Sequence, residues 1–286
     1  MGQTLGSIFK EIHEGFVHAA LPEATAQAQW LIAQLGSFNR FDYVLHPEKL
    51  VSNELATSMK QAASQILEGM PLEYILGKVS FDGHELEVGP GVLIPRPETE
   101  ELVHYIADRW KHRLKEGSRL LDLGTGSGCL AIALAARFSQ VEVGASDQSF
   151  QAIEIAKRNA QKSKVKIDFR VGNWIEPWVG DDNKKFDFVV SNPPYIATSE
   201  EGEMSLSTRL FEPKEALFAE EEGLAVYSYF SKNILKITEP GALVAFEIGY
   251  RQGERLCEIF KTQGWARGEV FKDLSGHDRF FFIERE

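Results

Sequence analysis

The run Asn192-Pro193-Pro194-Tyr195 has the residue types best suited to chemistry on a planar nitrogen. It follows the apolar segment Phe186–Ser191, which predicts a buried strand that delivers the Asn192 carboxamide to the end of the strand. Proline at the next two positions fixes φ and stiffens the loop. The segment therefore predicts a site that holds an amide or amine nitrogen. The structural alternative is a proline-rich turn in which Asn192 serves only as a cap.

The chemistry expected at this loop follows from the weakness of an amide or aryl amine as a nucleophile. The Asn192 side-chain oxygen and a backbone carbonyl of the Pro193-Pro194 turn can accept hydrogen bonds from both N–H groups of such a nitrogen. These acceptors stabilise the positive charge that develops during alkylation and orient the attack. Tyr195 offers a ring face for stacking on the planar group. We therefore predict that Asn192, Pro193, Pro194 and Tyr195 are the catalytic and substrate-binding residues.

A glycine-rich loop follows another predicted strand, Arg119–Leu123, and precedes a predicted helix. Glycine accepts positive φ values, so such a loop lets the backbone approach a ligand closely. Cradles of this form are common for nucleotide-like cofactors, although the GxGxG spacing differs from the GxGxxG fingerprint of dinucleotide-binding proteins. The alternative is a structural turn, for which one or two glycines would suffice. The loop is Gly124-Thr125-Gly126-Ser127-Gly128.

Three further side chains follow the next two predicted strands. Asp147 ends a strand where a carboxylate can accept hydrogen bonds from two ribose hydroxyls. Asn173 can bond an adenine edge, and Trp174 can cover the ring face. Asp147 could instead cap the following helix, a role that Ser149 would fill equally well, and Trp174 could belong to the core. With the glycine loop, these residues predict a cofactor site that Asn192 also contacts.

The two segments together indicate a methyltransferase that uses S-adenosylmethionine on an amide or exocyclic amine. The elements that must position them alternate between strands and helices from about residue 118 onward, which predicts an α/β fold with a parallel sheet covered on both faces. Ligands of such sheets bind beyond the carboxyl ends of the strands, where the strand order reverses. Because Gly124, Asp147, Asn173 and Asn192 all follow predicted strands, they should line one crevice.

The residues before this region predict two smaller parts. Apolar residues recur at helical spacing in the first 70 or so residues, as at Ile8, Ile12 and Phe16, which favours a small helical bundle. Short apolar runs such as Tyr74-Ile75-Leu76, separated by turn residues including Asp82-Gly83, predict a hairpin linker. We therefore predict a helical substrate-recognition domain at 1–73, a hairpin linker at 74–95 and a methyltransferase domain at 96–286.

Composition and charge narrow the class of protein. The 286 residues are 43% hydrophobic and 26% charged, as in ordinary folded proteins, and no apolar run approaches the roughly 20 residues needed to cross a bilayer. The formal net charge of −11 argues against stable nucleic-acid binding and favours a positively charged protein partner. Cys129 and Cys257 lack metal-site or disulfide spacing. We expect a cytoplasmic monomer without a metal and without membrane contact.

Seven segments of the chain match motifs of one known family. They are PLEYILG at 71–77, GVLIPRPETE at 91–100, DLGTGSG at 122–128, NPPY at 192–195, FEP at 211–213, FEIGY at 246–250 and KDLSGHDR at 272–279. By these segments the chain resembles the bacterial HemK/PrmC protein-(glutamine-N5) methyltransferases, which modify class 1 peptide chain release factors. The NPPY motif alone is shared with adenine and guanine amino methyltransferases, whereas the IPRPETE and EIGY segments are far more restricted.

The resemblance implies S-adenosylmethionine as cofactor and the glutamine of the release factor's Gly-Gly-Gln loop as target. It also implies a class I methyltransferase domain, Rossmann-like with a seven-stranded sheet, behind the helical N-terminal domain. By matching motif, residues 124–128, Asp147, Trp174 and Asn192 would contact the cofactor, and residues 192–195 would hold the glutamine amide. Asn173 departs from the family, which often has Asp there, but its oxygen can still accept a bond from the adenine amine.

Two alternative functions fit parts of the sequence. A nucleic-acid amino methyltransferase would hold a flipped base in a similar pocket, but it should bring a basic recognition domain, and the N-terminal helical segment is not basic. A non-catalytic S-adenosylmethionine-binding protein would not be expected to retain both Asp147 and Asn192.

Two groups of charged residues have open roles. Arg96 and Glu98 match the linker motif of the family, and a salt bridge or helix start explains them as well as substrate contact does. Acidic residues flank a long loop after the NPPY motif and are either solvated surface or part of a lid that meets a basic partner. These residues are Glu200, Glu201, Glu203 and the run 220–222.

Overall fold

The structure is a computed structural model that describes residues 2–180 and 185–286. Residue 1 of the predicted helical domain and residues 181–184 of the predicted methyltransferase domain lie outside the described residues. The chain forms two compact units, the first comprising Met1–Lys78 with Ser205–Phe211 and the second Val79–Met204 with Glu212–Glu286. Every helix in the described ranges is too short or too polar to span a membrane.

The elements are numbered in chain order. The helices are α1 (Leu5–His18), α2 (Ala24–Gly36), α3 (Asp42–Leu45), α4 (Asn53–Leu67), α5 (Leu72–Leu76), α6 (Pro97–Trp110), α7 (Cys129–Arg137), α8 (Phe150–Ser163), α9 (Leu206–Phe211), α10 (Glu220–Gly223), α11 (Ala225–Asn233) and α12 (Gly253–Lys261). The strands are β1 (Gln3–Thr4), β2 (Leu50–Val51), β3 (Lys78–Phe81), β4 (His84–Glu87), β5 (Arg119–Leu123), β6 (Glu142–Asp147), β7 (Ile167–Val171), β8 (Phe186–Ser191), β9 (Thr238–Glu247), β10 (Glu269–Lys272) and β11 (Asp278–Glu284).

The first unit is a helical bundle built on amphipathic stripes. In α1 the side chains of Ile8, Ile12 and Phe16 are buried, at the helical spacing seen in the sequence. The helix begins at its Thr4 cap, whose side chain accepts a hydrogen bond from the Ser7 N–H. The stripe of α1 packs with buried residues of α2 and α4 to form one core.

The hairpin lies slightly further along the chain than predicted. Strands β3 and β4 are joined by Asp82-Gly83, whose φ values of 47° and 78° are those favoured in a two-residue hairpin turn. The run Tyr74-Ile75-Leu76 is helical in α5, so its placement in the hairpin linker was wrong. The run is helical because Pro71 stands at the N-cap of this short helix and Gly77, with a left-handed φ of 69°, ends it.

The second unit is built around a seven-stranded sheet with the order β10-β11-β9-β8-β5-β6-β7. Strands β5 to β9 are parallel, whereas β11 is antiparallel to β9 and β10 to β11. The chain enters at β5, adds β6 and β7 on one side, and then returns to β8 on the other side. The strand order therefore reverses between β5 and β8, and the predicted seven-stranded α/β fold is confirmed.

Both faces of the sheet are covered by helices. Leu120 and Val190 pack on one face with buried residues of α6 and α7. Leu121 and Val189, the adjacent residues in the same strands, pack on the other face with residues of α11 and α12. Burial on both faces explains why these strands read as nearly continuous apolar runs.

Candidate active site

A cavity of about 480 Å³ lies in the second unit at the carboxyl ends of β5, β6 and β8, where the strand order reverses. Ligands of open α/β sheets bind at this place. Predicted residues that do not line the cavity are Gly128, Pro193 and Tyr195. Predicted residues that line it are Gly124, Thr125, Gly126, Ser127, Asp147, Asn173, Trp174, Asn192 and Pro194.

The glycine loop brings its backbone close to the cavity because its glycines adopt positive φ. A Cβ at Gly124, where φ is 71°, would lie 2.9 Å from the Trp174 ring. Trp174 itself has a φ of 46°, and its carbonyl accepts a hydrogen bond from the Ser146 hydroxyl at 2.9 Å. Gly128 is the N-cap residue of α7. A Cβ at this position would lie 3.1 Å from the Cβ of Ala156. Gly128 thus serves close packing, and Gly124 makes room for the indole.

Asp147 ends β6 and holds the loops on either side of it. Its Oδ2 accepts from the Gly126 N–H and its Oδ1 from the Ser149 N–H, both at 2.9 Å. Ser149 is the cap of α8, so the alternative role of Asp147 as helix cap does not apply. Burial raises the pKa of Asp147, while the two backbone bonds oppose that shift. Each carboxylate oxygen has a further lone pair, which leaves acceptor capacity for a ligand.

Asp122 lines the cavity and was not predicted as a site residue. Its Oδ2 accepts from the Thr125 hydroxyl at 2.6 Å, whereas no hydrogen bond of good geometry reaches its buried Oδ1 among the described residues. Burial raises the pKa of this carboxyl to about 7, and the bond from Thr125 and the backbone N–H of Ala131 oppose that shift. A buried oxygen without a good hydrogen bond is costly, and a bound donor or cation would satisfy it. The signal in the sequence was the position of Asp122 two residues before Gly124, the first residue of the glycine loop.

Asn192 belongs to a chain of side-chain hydrogen bonds. Its Nδ2 donates to the Thr99 hydroxyl at 3.0 Å, and Thr99 donates to Glu247 Oε2 at 2.6 Å. The Tyr195 hydroxyl donates to Glu247 Oε1 at 3.2 Å. Burial raises the pKa of Glu247, and the bond from Thr99, the charge of Arg279 and the bond from Tyr195 oppose the shift. Thr99 and Glu247 lie in the quoted 91–100 and 246–250 motifs, but no role was predicted for either.

Tyr195 lies beside the cavity and lines a neighbouring depression of about 430 Å³. Its backbone carbonyl accepts from the Gln252 side-chain amide at 2.9 Å, and Arg279 Nη1 donates to its hydroxyl at 3.4 Å. Burial raises the pKa of the Tyr195 hydroxyl, which therefore stays protonated. Pro193 is buried and does not line the cavity, although its neighbours in the chain, Asn192 and Pro194, do. Stacking of Tyr195 on a substrate stays a prediction.

The charged residues with open roles have defined neighbours. Arg96 caps α6 and forms an ion pair with the buried Glu212, whose other oxygen accepts from the Ile94 N–H at 3.0 Å. The salt-bridge explanation of Arg96 therefore has a partner, and Glu98 lies in the first turn of α6. Contact of either residue with a substrate stays a prediction.

The acidic residues after the NPPY motif are only partly paired. Glu201 lies 3.8 Å from the Lys214 ammonium, and Glu222 forms an ion pair with Arg255. Glu203 and Glu220 are exposed. The lid hypothesis stays a prediction.

The fold and the cavity place the chain among the class I methyltransferases. The sequence matches two families, the "Methyltransferase small domain" over residues 101–227 and the "PrmC N-terminal domain" over residues 10–77. A solved methyltransferase structure from Pyrococcus furiosus superimposes with a TM-score of 0.52 over 80% of this chain and 98% of that chain. Its sequence is 19% identical, so this likeness shows the fold.

Two relatives narrow the class to one family. The release factor glutamine methyltransferase of Staphylococcus aureus is 34% identical over 275 residues, which cover 95% of this chain and 97% of the relative. The protein of the same name from Bacillus subtilis is 40% identical over 215 residues, 74% of each chain. The chain belongs to the family of release factor glutamine methyltransferases. The predicted family is confirmed, and the alternatives of a nucleic-acid amino methyltransferase or a non-catalytic binding protein are not favoured.

Proposed function

We propose that this protein transfers a methyl group from S-adenosylmethionine to the side-chain nitrogen N5 of a release factor glutamine. The glutamine would be that of the Gly-Gly-Gln loop of a class 1 factor. One observation carries the proposal: the Asn192 carboxamide and the glycine loop line the same cavity, and the Asn192 nitrogen is already bonded to Thr99, which leaves its oxygen available. An available amide oxygen is the acceptor that a substrate carboxamide N–H requires.

The residues of the cavity fit S-adenosylmethionine. The buried Asp122 Oδ1 suits the ammonium group of the methionyl part, because a buried carboxylate oxygen is satisfied by a cationic donor. Asp147 retains lone pairs for ribose hydroxyls, and Asn173 and Trp174 supply an amide and an indole for adenine. When bound, this cofactor supplies an electrophilic methyl group.

The residues after β8 would prepare the nucleophile. The Asn192 oxygen and a backbone carbonyl of the Pro193-Pro194 turn accept bonds from the two N–H groups of the glutamine amide. They hold the nitrogen in position and stabilise the positive charge that grows on it. The two prolines keep the loop rigid, which limits reorganisation during the reaction. No side chain needs to act as a strong base before attack, because the alkylated nitrogen releases a proton readily.

The proposal also covers the compartment, the oligomeric state and the partner of the protein. A release factor substrate supports action in the cytoplasm, and we propose in addition that the protein acts as a monomer and that its N-terminal helical residues contribute to substrate recognition. The net charge of −11 supports a protein partner over stable nucleic-acid contact.

The proposal is tested by offering separate substrates with methyl-labelled S-adenosylmethionine. The substrates are a class 1 release factor, the same factor with the loop glutamine replaced by alanine, duplex DNA and RNA. We expect label only in the unmodified release factor. Label in either nucleic acid, or equal label in the factor without the glutamine, would contradict the proposed function.

A further inference from the structure

The IPRPETE and FEIGY motifs each contribute a buried polar side chain to the hydrogen-bond chain that ends at Asn192. Glu247 is 1% exposed and Thr99 is 2% exposed. Thr99 lies in the first turn of α6, and Glu247 is the last residue of β9, two strands away from β5 in the sheet. Because burying polar groups costs free energy, their presence beside the substrate-binding amide indicates a structural or functional role.

We infer that Thr99 and Glu247 are positioning residues that hold the Asn192 carboxamide with its oxygen toward the cavity. This inference rests on the proposed function, because it explains how Asn192 presents an acceptor rather than a donor to the substrate amide.

The direction of the hydrogen bonds fixes the orientation of the amide. The Thr99 hydroxyl has one proton, and at 2.6 Å it donates that proton to Glu247 Oε2. The hydroxyl oxygen can then only accept from Asn192. Only the Nδ2 end of the carboxamide can donate, and it lies 3.0 Å from Thr99 Oγ1. The Oδ1 end must therefore point away from Thr99, and we infer that it faces the cavity that Asn192 lines.

The charge state of Glu247 sets the direction of this chain. An ionised Glu247 accepts at both oxygens, from Thr99 and from the Tyr195 hydroxyl. A protonated Glu247 could donate to Thr99, which would then donate to Asn192 and favour the reversed amide. Burial raises the pKa of Glu247, and the positive charge of Arg279, which lies beside Glu247 and Tyr195, opposes that shift and favours the ionised form.

Arg279 lies in the 272–279 motif, and hydrogen bonds fix the position of its guanidinium group. Its Nε donates to Asp273 Oδ2 at 3.3 Å, and its Nη1 donates to the Ile248 carbonyl at 3.2 Å. Burial lowers the pKa of Arg279, but the charges of its neighbours raise it by more, so the guanidinium stays charged. Segments 91–100, 192–195, 246–250 and 272–279, far apart in sequence, thus converge on one amide.

The amide orientation matters because a reversed carboxamide would present N–H groups to the substrate N–H groups. Such a contact repels the glutamine amide and offers no stabilisation to a nitrogen that becomes positive. Among the described contacts, only the bond to Thr99 distinguishes the nitrogen end of the Asn192 carboxamide from its oxygen end. Without the Thr99 hydroxyl, both orientations of the carboxamide should therefore be populated. The expected defect is in turnover, with cofactor binding unchanged.

The test compares Thr99→Val, which keeps the shape of the side chain, with Thr99→Ser, which restores the hydroxyl. We expect Thr99→Val to lower kcat by roughly 10- to 100-fold, less than the roughly 100- to 1000-fold cost of removing an oriented donor outright, because a fraction of the molecules keeps the productive amide orientation. Its KM for the release factor should change by less than about threefold, because the rest of the partner contact is intact. Thr99→Ser should recover kcat to within about fivefold of the unmodified enzyme.

Thr238→Val is the matched control, since Thr238 is a buried threonine at the opposite end of β9 whose hydroxyl donates to the Ile234 carbonyl. It should lower stability without changing kcat. Unchanged kcat in Thr99→Val, or equal defects in the Val and Ser variants after correction for folded fraction, would overturn the inference.

A second measurement needs no substrate and no variant of Thr99. In protein labelled with ¹⁵N at asparagine, the Asn192 side-chain NH₂ signal is assigned by its loss in Asn192→Asp. We expect these protons to exchange with water at least about tenfold more slowly than those of an exposed asparagine, since one is bonded to Thr99. Exchange at the unprotected rate would overturn the inference even if the release factor is not methylated, an outcome that would separately contradict the proposed function.

Discussion

At the scale of single residues, the site depends on a few oxygen atoms whose neighbours restrict what they can bind. Asp147 keeps two loops together and still has lone pairs to offer, whereas Asp122 Oδ1 lies buried without a hydrogen bond of good geometry among the described residues. Asn192 has its nitrogen bonded and its oxygen available. These atoms therefore differ in what their loss would affect, and separate measurements can distinguish them.

Asn192→Ala should abolish methyl transfer and leave cofactor binding nearly intact. The change removes the acceptor that stabilises positive charge on the substrate nitrogen, so single-turnover rates should fall by about 100-fold or more. The cofactor dissociation constant from calorimetric titration should change by less than about threefold. Asn233→Ala serves as the control, because Asn233 donates to the Tyr229 carbonyl at the end of α11 and contributes nothing to the cavity. Methyl transfer at the unmodified rate in Asn192→Ala would refute this role.

Asp147→Ala should weaken cofactor binding by roughly 10- to 100-fold, the scale of losing charge-assisted hydrogen bonds. The variant loses the proposed ribose acceptor and also frees the N–H groups of Gly126 and Ser149. Asp168→Ala is the control, since Asp168 is an exposed carboxylate in β7 that pairs with Arg170. Equal dissociation constants for Asp147→Ala and Asp168→Ala would exclude the proposed role of Asp147.

Cofactor binding should also depend on pH through Asp122. Burial raises the pKa of this carboxyl to about 7, so it is neutral below that pH and ionised above it. A cationic ammonium favours the ionised form, and the dissociation constant should therefore fall by roughly tenfold as pH rises from about 5.5 to 7.0, a range in which an α-amino group stays protonated. Asp122→Asn should remove most of this slope and leave only the part due to Asp147, whose pKa is also raised by burial. An identical slope in Asp122→Asn and the unmodified protein would contradict the assignment.

Among the elements, a strained turn at residues 221–223 packs against the NPPY loop. Glu221 and Glu222 adopt left-handed φ values of 53° and 57°, and Gly223 follows with φ of 82°. The side-chain amide of Gln252 donates to the Tyr195 carbonyl at 2.9 Å and to the Gly223 carbonyl at 3.3 Å. The turn, Gln252 and Tyr195 therefore form one packed support for the loop after β8.

Gly223→Ala should disable methyl transfer because its Cβ would lie 2.1 Å from the Tyr195 carbonyl oxygen. The matched control is Gly117→Ala, which has nearly the same φ of 81° but no atom within 4 Å of the added Cβ. Both changes cost about 1 kcal/mol from the left-handed backbone, and Gly223→Ala costs more because of the contact with Tyr195; both losses are measurable by denaturant unfolding. Only Gly223→Ala should displace the Tyr195 backbone and reduce turnover by more than that stability loss explains. Equal turnover in the two variants would rule out this support.

Residues at the ends of strands could be predicted from the sequence, whereas side-chain partners far apart in the chain could not. The glycine loop, Asp147 and Asn192 could be predicted because each follows a strand within a short segment, and parallel strands bring their carboxyl ends to one edge. Thr99 and Glu247 could not be, because they are separated from each other by 148 positions and from Asn192 by 93 and 55 positions. Side-chain partners at such separations depend on strand order and helix placement. The run Tyr74-Ile75-Leu76 was misplaced because three apolar residues fit a helical turn as well as a strand.

At the scale of the whole molecule, the charge distribution bears on the partner. The chain carries a formal charge of −11, and exposed carboxylates such as Glu203 and Glu220 lie near the loop after the NPPY motif. A basic face on the release factor would be attracted to this region, and salt would screen the attraction. The KM for the release factor should therefore rise with ionic strength.

Reversing three of these charges, Glu201→Lys, Glu203→Lys and Glu220→Lys, should flatten the salt dependence of KM and leave cofactor binding unchanged. The control reverses three carboxylates elsewhere, Glu116, Glu142 and Glu239, and so makes the same change in net charge. If the two triple variants show equal salt slopes, the acidic loop has no special part in meeting the partner.

Methylation of the release factor glutamine at this site is measured by locating the methyl group in the product. After incubation of a class 1 release factor with the protein and S-adenosylmethionine, the peptide with the Gly-Gly-Gln loop is isolated and sequenced by tandem mass spectrometry. We expect a mass increase of one methyl group confined to the glutamine, on its side-chain nitrogen. A methyl group on another residue, or an unmodified peptide under conditions in which the cofactor binds, would contradict it.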